Sequence, residues 1–259
     1  MTEETKSLYP QPNSATELDA ATREMVEAGV FYGRKKSKTH PRMKAWVLAN
    51  RGGIEIINLA KTAEELSRAV DFLKEKAKTG GLFLFIGTQP AAQDAILAIA
   101  AAFKLPYVVN RWVGGTLTNF KIIAQRVEYM KRIRTGLATG VFDKYTKKER
   151  LGIERELARL AELMAGLEEL PRLPDALIVI DPVMHETAIR EARQLKIPVV
   201  AFADTDANPE STTCTVPGNA KSRKSVEWFL GKIQGVVAEG RSAVQSTEGV
   251  IANNANGGK

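Results

Sequence analysis

The chain has 259 residues, enough for one large domain or two small ones, and its 44% apolar and 26% charged residues are typical of a globular protein. A single cysteine, Cys214, excludes an internal disulfide and cysteine-rich zinc motifs, and the two histidines leave few metal or acid–base constellations. The absence of an apolar run long enough for a membrane span and the polar N-terminus predict a soluble protein of a reducing compartment, the cytoplasm, without membrane contact. The net charge is +7.

The N-terminal third contains helix signals and short strand signals around a basic stretch. Residues 1–13 are polar and contain two prolines, so a disordered tail is predicted there. Apolar residues at helical spacing predict a helix over 14–29, whereas the basic stretch 32–41 has no apolar periodicity and is predicted to be a loop. Two short strands and a capped helix are predicted next, at 45–49, 54–58 and 62–78.

Two similar strand–helix–strand patterns predict the fold class, which is α/β with a parallel sheet and flanking helices. Each pattern begins with a continuous apolar run, which is typical of a strand covered on both faces. The patterns occupy 82–109 and 176–202, and a final helix is predicted over 222–241. The Asn- and Gly-rich residues 246–259 are predicted to be a second disordered tail, which leaves one domain over 14–245.

An insertion at about 118–170 separates the two patterns. Its apolar residues recur at spacings of three and four, first at Ile123, Val127 and Met130 and then at Leu157, Leu160, Met164 and Leu167. This spacing predicts two helices that pair as an antiparallel coiled-coil hairpin projecting from the sheet. The strands lie outside the insertion, so we expect the hairpin to be separable and the remainder to fold when 121–167 are deleted.

The positive charge is concentrated in two segments. Residues 31–51 contain seven basic and no acidic residues, and 121–150 contain nine basic and three acidic residues, so the rest of the chain carries −6. Such concentration predicts binding to nucleic-acid phosphates, and the alternative is a basic surface that only aids solubility. The candidate nucleic-acid-binding residues are Arg34, Lys35, Lys36, Lys38, Arg42, Lys44, Arg111, Trp112, Lys121, Lys147, Lys148, Arg223 and Lys224. Trp112 could stack on a base or pack where the hairpin leaves the domain.

Catalytic signals are weak, and no catalytic residue or cofactor is predicted. Neither a dinucleotide fingerprint nor a phosphate-binding loop is present. Asp181 and Asp204 follow apolar strands and His185 lies close in sequence, so these three are weak candidates for a metal or ribose site. The alternative is that both aspartates cap the turns that follow them. The second functional hypothesis is therefore an α/β enzyme acting on a nucleotide or phosphosugar at this edge.

Several strings resemble the bacterial form of the ribosomal protein S2 family. They are AGVFYG at 28–33, IINL at 56–59 with Lys61 and Thr62, RWVGGTLTN at 111–119, FDK at 142–144, TKKE at 146–149, LPDAL at 173–177 and IPV at 197–199. The resemblance implies a flavodoxin-like domain with a coiled-coil hairpin. It also implies a structural role in the small ribosomal subunit, with rRNA and neighbouring ribosomal proteins, among them S1, as partners, and no homo-oligomer is expected.

Two positions depart from the family pattern. Many bacterial members have histidines where this chain has Phe31 and Arg34. In some members the first histidine holds zinc together with aspartates at positions matched by Asp181 and Asp204. Because phenylalanine has no ligand atom, we predict no tightly bound zinc, with His185 as the only substitute nitrogen ligand in view. Arg34 is permanently charged and favours contact with phosphate.

Overall fold

The computed structural model describes residues 20–237, so the predicted tails and the first part of the first helix lie outside the described residues. The strands are β1 (Tyr32–Lys35), β2 (Val47–Arg51), β3 (Ile54–Ile57), β4 (Phe83–Ile86), β5 (Tyr107–Val108), β6 (Ala176–Ile180), β7 (Val199–Ala203) and β8 (Cys214–Pro217). The α-helices are α1 (Ala20–Glu27), α2 (Leu59–Lys78), α3 (Pro90–Phe103), α4 (Phe120–Ala138), α5 (Lys147–Met164), α6 (Glu186–Gln194) and α7 (223–237).

A five-stranded parallel sheet forms the centre of the molecule, in the order β5-β4-β6-β7-β8. This order is consistent with a flavodoxin-like doubly wound fold, in which helices cover both faces. Every residue of β4, β6 and β7 is buried, which explains why their sequences are continuous apolar runs rather than alternating ones. The α/β prediction with a parallel sheet and flanking helices is therefore confirmed. No helix within residues 20–237 is both long enough and apolar enough to cross a membrane.

A second, antiparallel sheet has the order β1-β3-β2 and carries much of the basic stretch. The prediction of a loop over 32–41 was wrong at its start, because β1 pairs with β3 through Tyr32 and Ile56. Gly33 allows this approach, since a Cβ atom there would lie 2.9 Å from the carbonyl oxygen of Glu55 in β3. β1 is therefore held by partners distant in sequence and not by an apolar pattern of its own.

Two apolar clusters cover the two faces of the parallel sheet. On one face Phe202 of β7 stacks on Phe229 of α7, with ring centroids 4.6 Å apart, and α2 and α3 add side chains such as Leu73 and Ile96. The other face is covered by α6 and by the helix pair α4–α5. Both faces are thus closed to water, as a fully apolar parallel sheet requires.

The helix pair α4–α5 belongs in part to the core of the domain. Ile123, Val127 and Met130 of α4 are at most 5% exposed and share one cluster with Leu84 and Val179 of the sheet. The expectation that 121–167 form a separable unit is therefore not supported, because this segment closes the second face of the sheet. The later part of α4 and the first part of α5 contribute far less, and residues 147–163 contain no fully buried side chain.

This division predicts two different outcomes for two deletions. Replacing 134–153 by a short linker removes the outer part of the helix pair and should leave cooperative unfolding with a similar midpoint. Deleting 121–167 exposes apolar sheet residues and should abolish cooperative unfolding, because those residues lose their cover. Thermal unfolding followed by circular dichroism compares the two. Cooperative unfolding of the longer deletion at the native midpoint would show that α4 and α5 are not part of the core.

Candidate nucleic-acid interface

The basic segment, residues 31–51, is anchored by buried apolar side chains and exposes lysines. Phe31 and Met43 are at most 1% exposed and fix the segment to the domain. Between them a short 3-10 helix, Lys36–Lys38, lies at the surface. The ammonium groups of Lys35, Lys36, Lys38 and Lys44 are exposed and have no carboxylate partner among residues 20–237. Four positive charges are therefore available to an external anion.

Two arginines of the same segment are already neutralised by ion pairs. Arg34 Nε lies 3.3 Å from Asp206 Oδ2, and both side chains are at most one-third exposed. Arg42 pairs with Glu210 on the surface. From the sequence both arginines are predicted to be free cations, because their acidic partners lie more than 160 residues away. In the folded protein they attach the basic segment to the loop after β7.

The connection between α4 and α5 carries a second group of free lysines. Lys147 and Lys148 are exposed in the first turn of α5, directly after this connection. Lys121 is also exposed, but it lies at the other end of α4, in its first turn. The nearby acids are engaged elsewhere, since Glu149 accepts hydrogen bonds from the Thr146 backbone and side chain in a capping box. These hydrogen bonds lower the pKa of Glu149. Asp143 pairs with Arg150, 3.2 Å away.

The remaining basic candidates lie apart from these two groups. Arg223 and Lys224 begin α7, and both are exposed. Arg223 is paired with Glu227 and with Asp94 of α3, whereas Lys224 has no ion pair among the described residues. Arg111 is exposed after β5. The basic candidates therefore lie on different elements and do not line one cleft.

Trp112 is half-buried, and its indole N–H donates to the Glu191 carboxylate at 3.0 Å. This contact favours the packing interpretation of Trp112 over stacking on a base. Glu191 is only 8% exposed and accepts four more hydrogen bonds from the loop between β5 and α4. The donors are the backbone N–H groups of Gly115, Leu117 and Thr118 and the Thr118 hydroxyl.

Glu191 therefore explains the local structure of the RWVGGTLTN string, and the sequence analysis missed it. Burial raises the pKa of Glu191, but the hydrogen bonds from Trp112 and the loop amides outweigh burial, so the pKa is lowered overall. The carboxylate stays ionised and organises the loop that leads into α4. The only sequence signal was an acidic residue on the apolar side of α6, where it follows Ala188 at a spacing of three.

Replacing Glu191 by Gln tests this role. The amide keeps the size of the side chain but places N–H donors against backbone N–H donors, so the free energy of unfolding should fall by about 3 kcal/mol. Chemical denaturation gives the value. Glu186→Gln on the same helix is the matched control, because Glu186 is 77% exposed in its pair with Arg190 and should change stability little. Equal stabilities of the two variants would contradict the role of Glu191.

The carboxyl edge of the parallel sheet contains the three candidate metal residues, and each has protein partners. Asp181 is fully buried and accepts from Gln89 Nε2 and from Lys221 Nζ. Asp204 accepts from the Thr205 backbone N–H at 2.7 Å. His185 Nε2 accepts from the Thr88 backbone N–H at 3.1 Å. The interpretation of Asp204 as a turn cap is therefore supported, and Asp181 is tied to side chains of two other segments.

Burial shifts the pKa values of Asp204 and His185 in opposite directions. It raises the pKa of Asp204 to about 7, with Asp206 and Asp181 adding to the rise and the Thr205 N–H opposing it. It lowers the pKa of His185 to about 4, against the attraction of Asp181. His185 is therefore neutral at pH 7, and its Nδ1 atom has no hydrogen-bond partner among the described residues.

The donor set does not fit the zinc ion that the family resemblance implies for some members. Phe31 is a core residue, 1% exposed, and its ring packs 4.2 Å from that of Tyr32. The Nε2 lone pair of His185 is used by Thr88, and a lysine ammonium lies on Asp181. Residues 20–237 contain no group of three or more His, Cys, Asp or Glu side chains placed to hold a metal.

The pKa of His185 predicts a pH dependence of stability. Unfolding raises the pKa from about 4 to the ordinary value of about 6.5, so the unfolded chain binds an extra proton between these values and stability falls as the pH drops through this window. His185→Gln removes this loss and keeps an acceptor for Thr88. Relative to wild type, the variant should gain about 3 kcal/mol between pH 7 and pH 4.

Denaturant titrations at several pH values give this difference directly. The raised pKa of Asp204 changes stability in the opposite sense. Its protonated form stabilises the folded state, and this contribution is lost as the pH rises from about 4 to about 7. That contribution is present in both proteins and cancels in the comparison. A constant difference between variant and wild type across the window would show that His185 does not titrate as described.

Comparisons with known proteins agree with this geometry. A family model described as Ribosomal protein S2 matches residues 25–240. The small ribosomal subunit protein uS2 of Thermus thermophilus is 39% identical over 227 residues, covering 88% of this chain and 89% of the relative. The uS2 of Dictyoglomus turgidum is 40% identical over 219 residues, covering 85% and 89%. The uS2 of Dehalococcoides mccartyi is 36% identical over 226 residues, covering 87% and 92%.

Proposed function

The chain belongs to the ribosomal protein S2 family and is a structural constituent of the small ribosomal subunit, and we propose that it binds the rRNA of that subunit through the basic segment and the helix pair α4–α5. The family is structural, so the hypothesis of a nucleotide or phosphosugar enzyme is set aside. In this assignment individual lysines contact phosphates, whereas the ion-paired arginines attach the basic segment to the loop after β7.

One observation carries this assignment. Lys36 and Lys38 lie on an exposed 3-10 turn and have no carboxylate partner within residues 20–237, whereas Arg34 and Arg42 of the same segment each have one. Free ammonium groups gain most from an rRNA phosphate, because no internal ion pair has to be broken. The anchors Phe31 and Met43 hold the turn in place without using these charges.

The helix pair α4–α5 is proposed to be an antiparallel coiled-coil hairpin over about 118–170. The Tyr129 hydroxyl lies 3.4 Å from Glu156 Oε1, and Asn110 Nδ2 donates to Glu162 O at 2.7 Å, which supports a return of α5 toward β5. The inner part packs on the sheet, so the hairpin has a fixed direction. Its outer end then carries Lys147 and Lys148 to a second rRNA contact, separate from the basic segment.

The wider assignments follow from the family. We propose one domain over 14–245, action as a single copy in cytoplasmic ribosomes, and contact with other small-subunit proteins. Ribosomal protein S1 is the neighbour proposed from the resemblance. Lys35, Lys44, Lys121 and Lys224 are proposed as further phosphate contacts because they are exposed and have no ion pair among the described residues. Arg111 is included for its exposure alone.

Changing Lys36 and Lys38 together to Gln tests the proposal. Each lost phosphate contact reduces the slope of log affinity against log salt by roughly 0.7–0.9, so the double variant should lower the slope by about 1.5 and weaken binding at every salt concentration. The ligand is deproteinised small-subunit rRNA, and affinity is measured by filter binding across a salt series.

The matched control is Lys74→Gln with Lys78→Gln. These two lysines are exposed on α2, and the change removes the same charge. It should leave the slope unaltered, since long-range attraction is screened at moderate salt. Equal slopes for the two double variants would refute the assignment of the basic segment to rRNA phosphates.

A further inference from the structure

Asp181 joins three elements at the carboxyl edge of the sheet. It follows β6 directly, has a left-handed backbone conformation with φ of 62°, and is 0% exposed. One carboxylate oxygen, Oδ2, accepts from Gln89 at the start of α3 and from Lys221 just before α7. The other oxygen, Oδ1, accepts from the Val183 backbone N–H at 3.2 Å. Both oxygens of this buried carboxylate are therefore engaged.

We propose that Lys221 is the internal counter-cation of Asp181 and takes the place that a metal ion would otherwise fill at this edge. A fully buried carboxylate requires a positive partner, because its desolvation is costly. The Lys221 ammonium supplies that charge 2.5 Å from Oδ2. Its side chain is 36% exposed, so the aliphatic stem reaches inward from the surface and only the end of the side chain contacts the acid.

The surrounding contacts support a lysine at this place over a metal. A divalent cation needs several free lone pairs. Here the Asp181 oxygens and His185 Nε2 all accept hydrogen bonds from the protein, and an ammonium group beside them repels a second cation. Asn219 holds the turn that places Lys221, because its side-chain oxygen accepts from the backbone N–H groups of Lys221 and Ser222 at 3.1 and 3.2 Å.

The consequence is a fold that does not depend on metal supply. The Lys221–Asp181 pair fixes the start of α7 against the end of β6. Removal of the ammonium should therefore lower the stability of the fold and leave the Asp181 carboxylate without a cation. Added divalent cation should stabilise neither the variant nor the natural protein, because Gln89, Val183 and Thr88 still occupy acceptor sites on Asp181 and His185.

The experiment measures thermal midpoints of the full-length protein with chelator and with excess zinc chloride. Wild type should have the same midpoint in both. Lys221→Ala should unfold about 5 °C lower than wild type both in chelator and in zinc. Lys224→Ala is the matched control, because Lys224 lies three residues after Lys221 in the first turn of α7, is exposed and has no ion pair among the described residues. It should keep the wild-type midpoint in both conditions.

Lys221→Arg keeps the test decisive if the alanine variant does not fold. The guanidinium preserves the charge, so this variant should fold, remain within a few degrees of wild type and respond to zinc no more than wild type does. Elemental analysis of wild-type protein after desalting should show no zinc. The proposal is overturned by one zinc per wild-type chain, by a wild-type midpoint that rises with zinc, or by a Lys221→Ala midpoint equal to that of Lys224→Ala. These measurements use no RNA, so their outcome is independent of the proposed rRNA contacts.

Discussion

A parallel sheet that is apolar on both faces must be covered on both faces, and this requirement governs the architecture. α2, α3 and α7 cover one face, and α6 with the inner part of α4 and α5 covers the other. The connection from β5 to β6 therefore has two roles, since it buries residues such as Val127 and also extends beyond the sheet. An outer end that extends from a packed core has a defined direction, which suits the proposed rRNA contacts at separate places.

Buried carboxylates organise the connections around this core. Glu191 holds the loop into α4 by accepting five hydrogen bonds. Asp181 ties the starts of α3 and α7 to β6. In a doubly wound fold the carboxyl edge is the usual place for a ligand. In this chain the acids at that edge bind the protein itself, in keeping with a structural role.

The sequence predicted those features that depend on local patterns. Continuous apolar runs identified β4, β6 and β7, and three- and four-residue spacings identified α4 and α5. The capping box predicted at Thr62 lies inside α2, because Asn58 caps that helix and begins it four residues earlier. A single side chain that accepts backbone N–H groups can thus move a helix start beyond the reach of a short motif.

Features that depend on distant partners could not be predicted. β1 exists because β3 pairs with it, and Arg34 loses its free charge because the fold brings Asp206 beside it. From the sequence Trp112 is a candidate for stacking on a base, but in the folded protein its indole N–H donates to Glu191. In each case the decisive partner lies at least 19 residues away, and no local periodicity encodes it. The exposed lysines are the candidate phosphate contacts for which residues 20–237 provide no carboxylate partner.

Lysine acylation rates compared between the free protein and assembled small subunits test the central claim most directly. The account predicts that Lys36, Lys38, Lys147 and Lys148 react much more slowly in the subunit, because rRNA phosphates engage their ammonium groups. Lys74 and Lys78 on α2 should react at similar rates in both states. Unchanged rates at the first four lysines, with slowing confined to α2, would contradict the assignment of the basic segment and the helix pair to rRNA.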